Sequence, residues 1–324
     1  MSGIVVTAPA RLHFGMLDPA GVGERRFGGF GVGIEFPRVV VAVGATGSHS
    51  PDELIVSGPQ AHRAEAFARR ARSRLGIGGG IEVNVLEAIP PHVGLGSGTK
   101  LGLAVARGVA ELAGTAAGPE ALAKASGRGA RSSVGSWTFA APGVVLEAGV
   151  TQSGALSPLV ARHLVPDSWR CVLALPRDGQ GLSGDAEERF FDILHEQATA
   201  EPRVARLLLT ALLPGLMTGD LDEFGAALSE IQREIGAMFA ARQGGVFHPR
   251  AAPIVEALEA LGVSAVGQSS WGPTVYGIVA GEQRAAEIAE GLRATTDAGT
   301  DIRVVDFDRR GAQVTRHDSG RAAA

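Results

Sequence analysis

Pro90-Pro91-His92-Val93-Gly94-Leu95-Gly96-Ser97-Gly98-Thr99-Lys100 is the stretch from which the fold is read. Before it, Ile81, Val83 and Val85 alternate with Glu82, Asn84 and Leu86, the pattern of a half-buried strand. After it, Leu101 to Leu112 is rich in small and apolar residues and reads as a helix. A strand, a glycine-rich turn and a helix together make an anion site. Glycines let backbone N–H groups approach a ligand closely, and the helix N-terminus adds about half a positive charge. Ser97 and Thr99 can cap the helix or offer hydroxyls. Lys100 is a cation in the first turn, where it opposes the helix dipole unless an anion lies between. Gly94, Gly96, Ser97, Gly98, Thr99 and Lys100 are therefore the candidate phosphate contacts. A turn whose glycines serve only geometry is the plain alternative. The coincidence of strand, helix, Pro-Pro entry, hydroxyls and one of only two lysines in the chain favours phosphate. The spacing is not that of a Walker A loop, and no βαβ unit with a ribose-binding acid follows, so a Rossmann fingerprint is excluded.

Outward from the loop, Ile4 to Ala8, Arg38 to Val43 and the shorter Glu53 to Ser57 are predicted strands. Gln60 to Leu75 is a predicted helix with arginines on its polar face, stopped by Gly76 to Gly80. Pro119 to Ser126 is a second short helix with Pro in its first turn, and Val144 to Leu146 returns to strand. Pro166 and Asp167 break the pattern, which places a domain boundary near residue 165. A first domain then covers 1–165 and a second covers 166–324. The second begins with the strand Arg170 to Leu175. Helical stretches follow over Asp185 to Leu213, broken near Pro202, then Asp220 to Ala241 and Pro249 to Leu261. It closes with the strand Val275 to Val279, the helix Glu282 to Leu292 and the strand Ile302 to Phe307. The tail Ser319 to Ala324 is expected to fray.

Composition limits the function. At 324 residues the chain suits two fused domains, and 45% hydrophobic with 20% charged residues is ordinary for a globular protein. A net charge of −4 offers no basic field for nucleic acid, and 5% aromatic residues leave few stacking platforms for single strands. Cys171 is the single cysteine, in an apolar run, and reads as a structural thiol. No signal peptide and no bilayer-spanning stretch is visible, so a cytoplasmic enzyme with no membrane partner is expected.

Pro90 to Lys100 resembles the second motif of the GHMP superfamily of small-molecule kinases. Three more segments are similar to one branch of it, the β-ribofuranosylaminobenzene 5′-phosphate synthases: Ala8 to Asp18, Gly127 to Gly135, and Gly267 to Gly277 with its core Gln268-Ser269-Ser270-Trp271-Gly272. The resemblance implies an α+β, two-domain GHMP-kinase-like fold, with an N-terminal half like ribosomal S5 domain 2 and a ferredoxin-like C-terminal half. It also implies a reaction: phosphoribosyl pyrophosphate joins 4-hydroxybenzoate, or 4-aminobenzoate, with loss of pyrophosphate and CO2, on the way to tetrahydromethanopterin. Mg2+ and a homodimer are expected on the same ground, with the metal ligands unassigned.

Kinases of this superfamily place a catalytic Asp after the phosphate-loop helix. From Gly114 to Gly149 this chain has no Asp and instead carries Arg128, Arg131, Ser132 and Ser133. That argues against ATP-dependent phosphorylation, the main alternative, and suits a substrate rich in anions. Surface arginines in an arginine-rich chain are the bland account of the same residues. Arg131 is assigned a catalytic role, and Arg128, Ser132 and Ser133 phosphate contact. His13 and Asp18 are candidates for activating the phenol, against a core histidine and a turn aspartate. Arg11 suits positioning or phosphate contact, because a tight clamp on the departing carboxylate would give no rate gain. Gln268, Ser269, Ser270 and Trp271 are expected to form the aryl pocket, with plain core packing the alternative for Trp271. Gly23 to Gly33, with Arg25 and Arg26, reads as a lid or a solvated loop. A binding protein of the same fold without turnover is the third reading.

Overall fold

A computed structural model describes residues 3–21, 23–47, 50, 52–151, 154–182, 184–197 and 203–317. The expected fraying of Ser319 to Ala324 and the break at Pro202 lie outside the described residues. The first strand, β1 (Gly3–Asp18), is far longer than Ile4 to Ala8. Ile4, Val6, Ala8, Ala10, Leu12, Phe14 and Met16 are all buried, a period-two pattern that carries straight through the first motif. Arg11 and His13 therefore share the opposite face. Register shifts at Pro9/Ala10 and His13/Gly15 bend the strand around them. Its partner β2 (Phe27–Ala45) absorbs most of the expected lid, which is a correction. There Phe30, Val32 and Ile34 are buried on one face, while Gly29, Gly31 and Gly33 leave room on the other. A Cβ at Gly31 would sit 2.2 Å from the Leu12 carbonyl oxygen. Sparse side chains hide such a strand from a propensity reading.

Next come β3 (Leu54–Ser57), α1 (Ala61–Leu75), β4 (Ile81–Glu87), α2 (Ser97–Leu112), α3 (Pro119–Ser126), α4 (Val134–Ala140), β5 (Val144–Glu147) and β6 (Leu159–His163). The sheet runs β11-β1-β2-β4-β3, with β5 on β2 and β6 on β5, where β11 (Gln313–His317) returns from the C-terminus. All pairs but β3 with β4 are antiparallel. Helix α2 lies buried on β1 and β2, with α1 and α3 against it.

The second sheet contains β7 (Trp169–Pro176), β8 (Ala265–Gln268), β9 (Val275–Ala280) and β10 (Thr300–Val305) in the order β10-β7-β9-β8, all antiparallel. With α10 (Glu282–Thr295) between β9 and β10, this is ferredoxin-like topology, as the resemblance implied. Between β7 and β8 come α5 (Asp185–Gln197), α6 (Arg203–Leu207), a π-helical turn (Leu208–Leu212), α7 (Leu213–Thr218), α8 (Leu221–Gln243) and α9 (Ala252–Ala260). The π-turn precedes Pro214, which has no N–H to donate to the Thr210 carbonyl, so the regular i→i−4 ladder is interrupted there. Asp220 caps α8 by accepting from the Asp222 and Glu223 N–H groups. One face of the second sheet, with Cys171, Leu173, Tyr276 and Ile278, joins the same core as Phe14 and Ile231. The other face packs Val172, Val275, Leu258 and Ile288 beneath α9 and α10. A division near residue 165 follows the two sheets and remains our proposal, with β11 crossing back over it. Among the described residues no helix is long and apolar enough to cross a membrane.

Candidate active site

The glycine loop is held from both sides. Gly94 O accepts from Arg11 Nη1 and, at 2.7 Å, from Ser269 Oγ. Val93 O accepts from Thr274 Oγ1 at 2.5 Å, and the Arg11 N–H donates to Leu95 O. Segments far apart in sequence, 11–13, 93–98 and 268–274, thus meet at one place. Gly94 has φ +84°, and a Cβ there would lie 2.1 Å from Ser269 O, so no other residue fits. Gly96 (φ +77°) starts α2, and no side chain caps the helix.

Over that open N-terminus, arginines converge. A Cβ on Gly98 would stand 2.1 Å from Arg128 Nη2 and 2.5 Å from Arg63 Nη2. Arg128 follows the C-terminus of α3 and Arg63 sits on α1. Burial, then the charges of Arg63, Arg131 and Arg70, lower the Arg128 pKa to about 10. Its Nε is buried without a hydrogen-bond partner, and its guanidinium lies 5.6 Å from the Phe67 ring centroid. Like charges gathered this way are unfavourable unless an anion joins them. Arg131 pairs with Glu187 at 3.1 Å. Burial lowers the Arg11 pKa to about 10, against an opposing pull from Glu187.

Glu187 also accepts from Trp271 Nε1 at 2.9 Å, which links the arginines to an aromatic cavity. This narrow cavity, with a free volume of about 30 Å³, is lined by His13, Gln232, Phe239, Gln268, Ser270 and Trp271 among others. Trp271 stacks on Phe239 with centroids 4.5 Å apart and planes at 20°. Gln268 is locked by the His248 N–H at 2.6 Å, Gln232 Oε1 at 2.9 Å and Gln243 Oε1 at 3.2 Å. Of the expected aryl-pocket residues, Gln268, Ser270 and Trp271 line the cavity. Ser269 instead turns its hydroxyl to the loop and receives the His13 N–H at 3.0 Å.

His13 is buried, and its Nε2 lies 3.1 Å from Ser132 Oγ. Burial, then the charge of Arg11, keeps its pKa well below the ordinary value, so the ring is neutral. Behind Ser132 stands Glu147, fully buried at the end of β5.

Several expectations need correction. Lys100 is 0% exposed and donates to Thr138 Oγ1 at 2.9 Å, not to the loop mouth. At about 100° per residue, position 100 points to the core when Gly98 points out. Burial lowers its pKa to about 7, with the nearby Asp308 charge opposing. Asp18 accepts from the Gly21 and Gly23 N–H groups at 2.7 and 3.0 Å and shapes that turn, so it is a turn residue and not a partner of His13. Ser133 is buried, with its N–H on Glu147 and its Oγ accepting from the Ser157 N–H, so Ser132 and Ser133 face His13 and Glu147 and not the arginines. Ser97 and Thr99 lie in the uncapped first turn of α2. Sequence reasoning missed Arg63, Arg70, Glu187, Glu147 and Phe239. Arg63 and Arg70 sat in a helix whose arginines all read as solvent-facing. Nothing local marks Glu187 or Glu147.

The chain matches the family model of the GHMP kinases N terminal domain over residues 62–138 and that of the GHMP kinases C terminal over 212–298. It is 31% identical over 299 residues to a β-ribofuranosylphenol 5′-phosphate synthase of Archaeoglobus fulgidus, covering 88% of this chain and 90% of that one. It is 29% identical over 297 residues to a protein of the same name from Methanothermobacter thermautotrophicus, covering 85% and 88%. Among solved structures, a homoserine kinase from Cytophaga hutchinsonii superposes with TM-score 0.71 at 18% identity, covering 97% of each chain. A Streptococcus pneumoniae phosphomevalonate kinase gives TM-score 0.71 at 12% identity, covering 95% of this chain and 100% of that one. At such identity these two speak for the fold alone.

Proposed function

Because the chain belongs to the β-ribofuranosylphenol 5′-phosphate synthase family of the GHMP kinase superfamily, we propose that it transfers phosphoribose from phosphoribosyl pyrophosphate to 4-hydroxybenzoate, releasing pyrophosphate and CO2. The phenol in the relatives' name favours hydroxybenzoate over aminobenzoate as acceptor. One observation supports this pairing most. Glu187 joins an arginine-lined anion site to an aromatic cavity, with Arg131 on one oxygen and Trp271 on the other. A polyanion and an aryl ring are the two halves of such a substrate pair.

In this mechanism the open N-terminus of α2, with Arg63, Arg128 and Arg131, holds the phosphates and stabilises negative charge as pyrophosphate leaves. The ribose C1 gains oxocarbenium character. The arene enters beside Trp271, which requires the Trp271–Phe239 stack to open, and its carboxylate-bearing ring carbon attacks C1 from the face opposite pyrophosphate. Loss of CO2 restores aromaticity. The cavity excludes water, which would otherwise capture the cation. Arg11, held on Gly94 O, positions the loop between the two halves.

Among the described residues no cluster of three His, Cys, Asp or Glu forms a ready metal site. Mg2+ commonly takes one or two carboxylates plus substrate phosphates. Both Glu187 oxygens already have partners, Arg131 and Trp271, so an ion arriving with the pyrophosphate would be held chiefly by the substrate phosphates. The ion would neutralise charge on the leaving group. Homodimer assembly and a cytoplasmic location, both expected from the sequence, belong to the same proposal.

The test supplies purified protein with phosphoribosyl pyrophosphate, Mg2+ and carboxyl-labelled 4-hydroxybenzoate. Stoichiometric labelled CO2 and pyrophosphate are expected. Consumption of ATP with an alcohol acceptor, and no CO2, would replace the proposal with a kinase.

A further inference from the structure

Glu147 is a charged group that the transfer mechanism leaves unused. It is 0% exposed, yet among the described residues no cation forms a salt bridge with it. Its Oε1 accepts from the Ser133 N–H at 3.1 Å and its Oε2 from the Gly149 N–H at 3.0 Å. The Ser157 and Ser132 hydroxyls stand close enough to hold its pKa down against burial. Gly29, opposite on β2, leaves just enough room, since a Cβ there would lie 3.2 Å from Glu147 Oε1. A buried carboxylate is costly, and such a site persists when its donors compensate. Ser132 also contacts His13 Nε2 at 3.1 Å, and His13 lines the aromatic cavity. Ser132 therefore stands between His13, on the cavity wall, and Glu147.

We propose that Glu147 is a positioning residue and the final proton acceptor of a His13–Ser132–Glu147 relay that ionises the hydroxyl of the aryl substrate. The inference rests on the transfer reaction proposed above. Ser132 has one hydroxyl proton. Directed at Glu147, it leaves Ser132 Oγ to accept from His13 Nε2–H. That fixes the tautomer and leaves Nδ1 as the ring's lone pair.

The phenol O–H breaks and Nδ1–H forms on His13. His13 Nε2–H breaks and a new Oγ–H forms on Ser132. The original Ser132 Oγ–H breaks and Glu147 gains an O–H. One negative charge moves from Glu147 to the phenolate, which pushes electron density to the carbon opposite, where the bond to ribose forms. After CO2 leaves, the product phenolate recovers its proton by the reverse path. Burial and the Arg11 charge disfavour a proton on His13, which favours passing it on through Ser132. Burial raises the Glu147 pKa, which makes it a better destination than an exposed carboxylate.

Glu147→Gln and Ser132→Ala are compared with wild type on two acceptors: 4-hydroxybenzoate, and 3,5-difluoro-4-hydroxybenzoate, whose phenol is already ionised near neutral pH. With hydroxybenzoate, kcat is expected to fall by about 10²-fold or more, the usual share of general acid–base catalysis, while affinity for phosphoribosyl pyrophosphate stays constant. With the fluorinated acceptor the deficit should shrink at least tenfold, by the argument that an ionised phenol needs no base. An equal loss on both acceptors, or none on hydroxybenzoate, overturns the relay. If Glu147→Gln misfolds, Ser132→Ala, which keeps Glu147 and its backbone donors, decides alone by the same criteria. Wild-type protein that releases no CO2 from hydroxybenzoate would sink the underlying function, a result distinct from either.

Discussion

Replacing Arg63 with Gln tests the anion site at a residue that only the fold connects to it. Arg63 Nη1 donates to Gln60 Oε1 at 2.6 Å, which steadies the guanidinium while its other end reaches Gly98. A hydrogen bond to a charged partner contributes about 1.5–3 kcal/mol. Arg63 is half-buried, so solvent screening places the loss near the lower end, about 1.5–2 kcal/mol, or roughly 13-fold to thirtyfold in Kd. The unliganded protein should respond with the opposite sign. Arg63 is the largest charge depressing the Arg128 pKa, so its removal relieves repulsion, and the Tm of the free protein should hold or rise. Calorimetric titration with phosphoribosyl pyrophosphate and Mg2+ measures the first effect and thermal melts the second. Arg69→Gln on the same helix is the control, because Arg69 is exposed and paired with Glu65 at 2.6 Å. A Kd for Arg63→Gln within twofold of wild type, with normal melting, would refute the anion site as drawn.

Lys100→Met should alter the pH dependence of stability. The folded pKa is about 7 against an ordinary 10.5, so between these values the unfolded chain binds more protons and wild-type stability rises with pH. Denaturant melts across that window should show a flatter profile for the variant; identical slopes would mean Lys100 is not depressed. Gly94→Ala places a Cβ 2.1 Å from Ser269 O at φ +84°, with backbone strain alone costing about 1–3 kcal/mol. Chemical denaturation checks the cost, and an unchanged midpoint would show that the loop is looser than drawn.

Sequence by itself determined the loop, the helix behind it and the family, because glycines, hydroxyls and apolar alternation are local signals. Pro119 to Ser126 was read to the residue, since Pro and Gly punctuate it at both ends. Within the site, His13, Gln268, Ser270 and Trp271 were legible through their motifs and share one cavity. Of β1 only Ile4 to Ala8 was read; its period-two run continues to Met16, but Pro9 and the bulge before Gly15 disguise it. Tertiary structure alone decided the direction of side chains. Lys100 looks like a phosphate ligand in sequence, but its position on α2 turns it to Thr138. Arg63 looks like a surface charge, but α1 packs beside α2 and carries it to the helix N-terminus. Glu187 and Glu147 have no motif at all, and they matter through partners 84 and 14 residues away. Burial and charge are properties of neighbours in space, and one chain segment cannot specify them without the others.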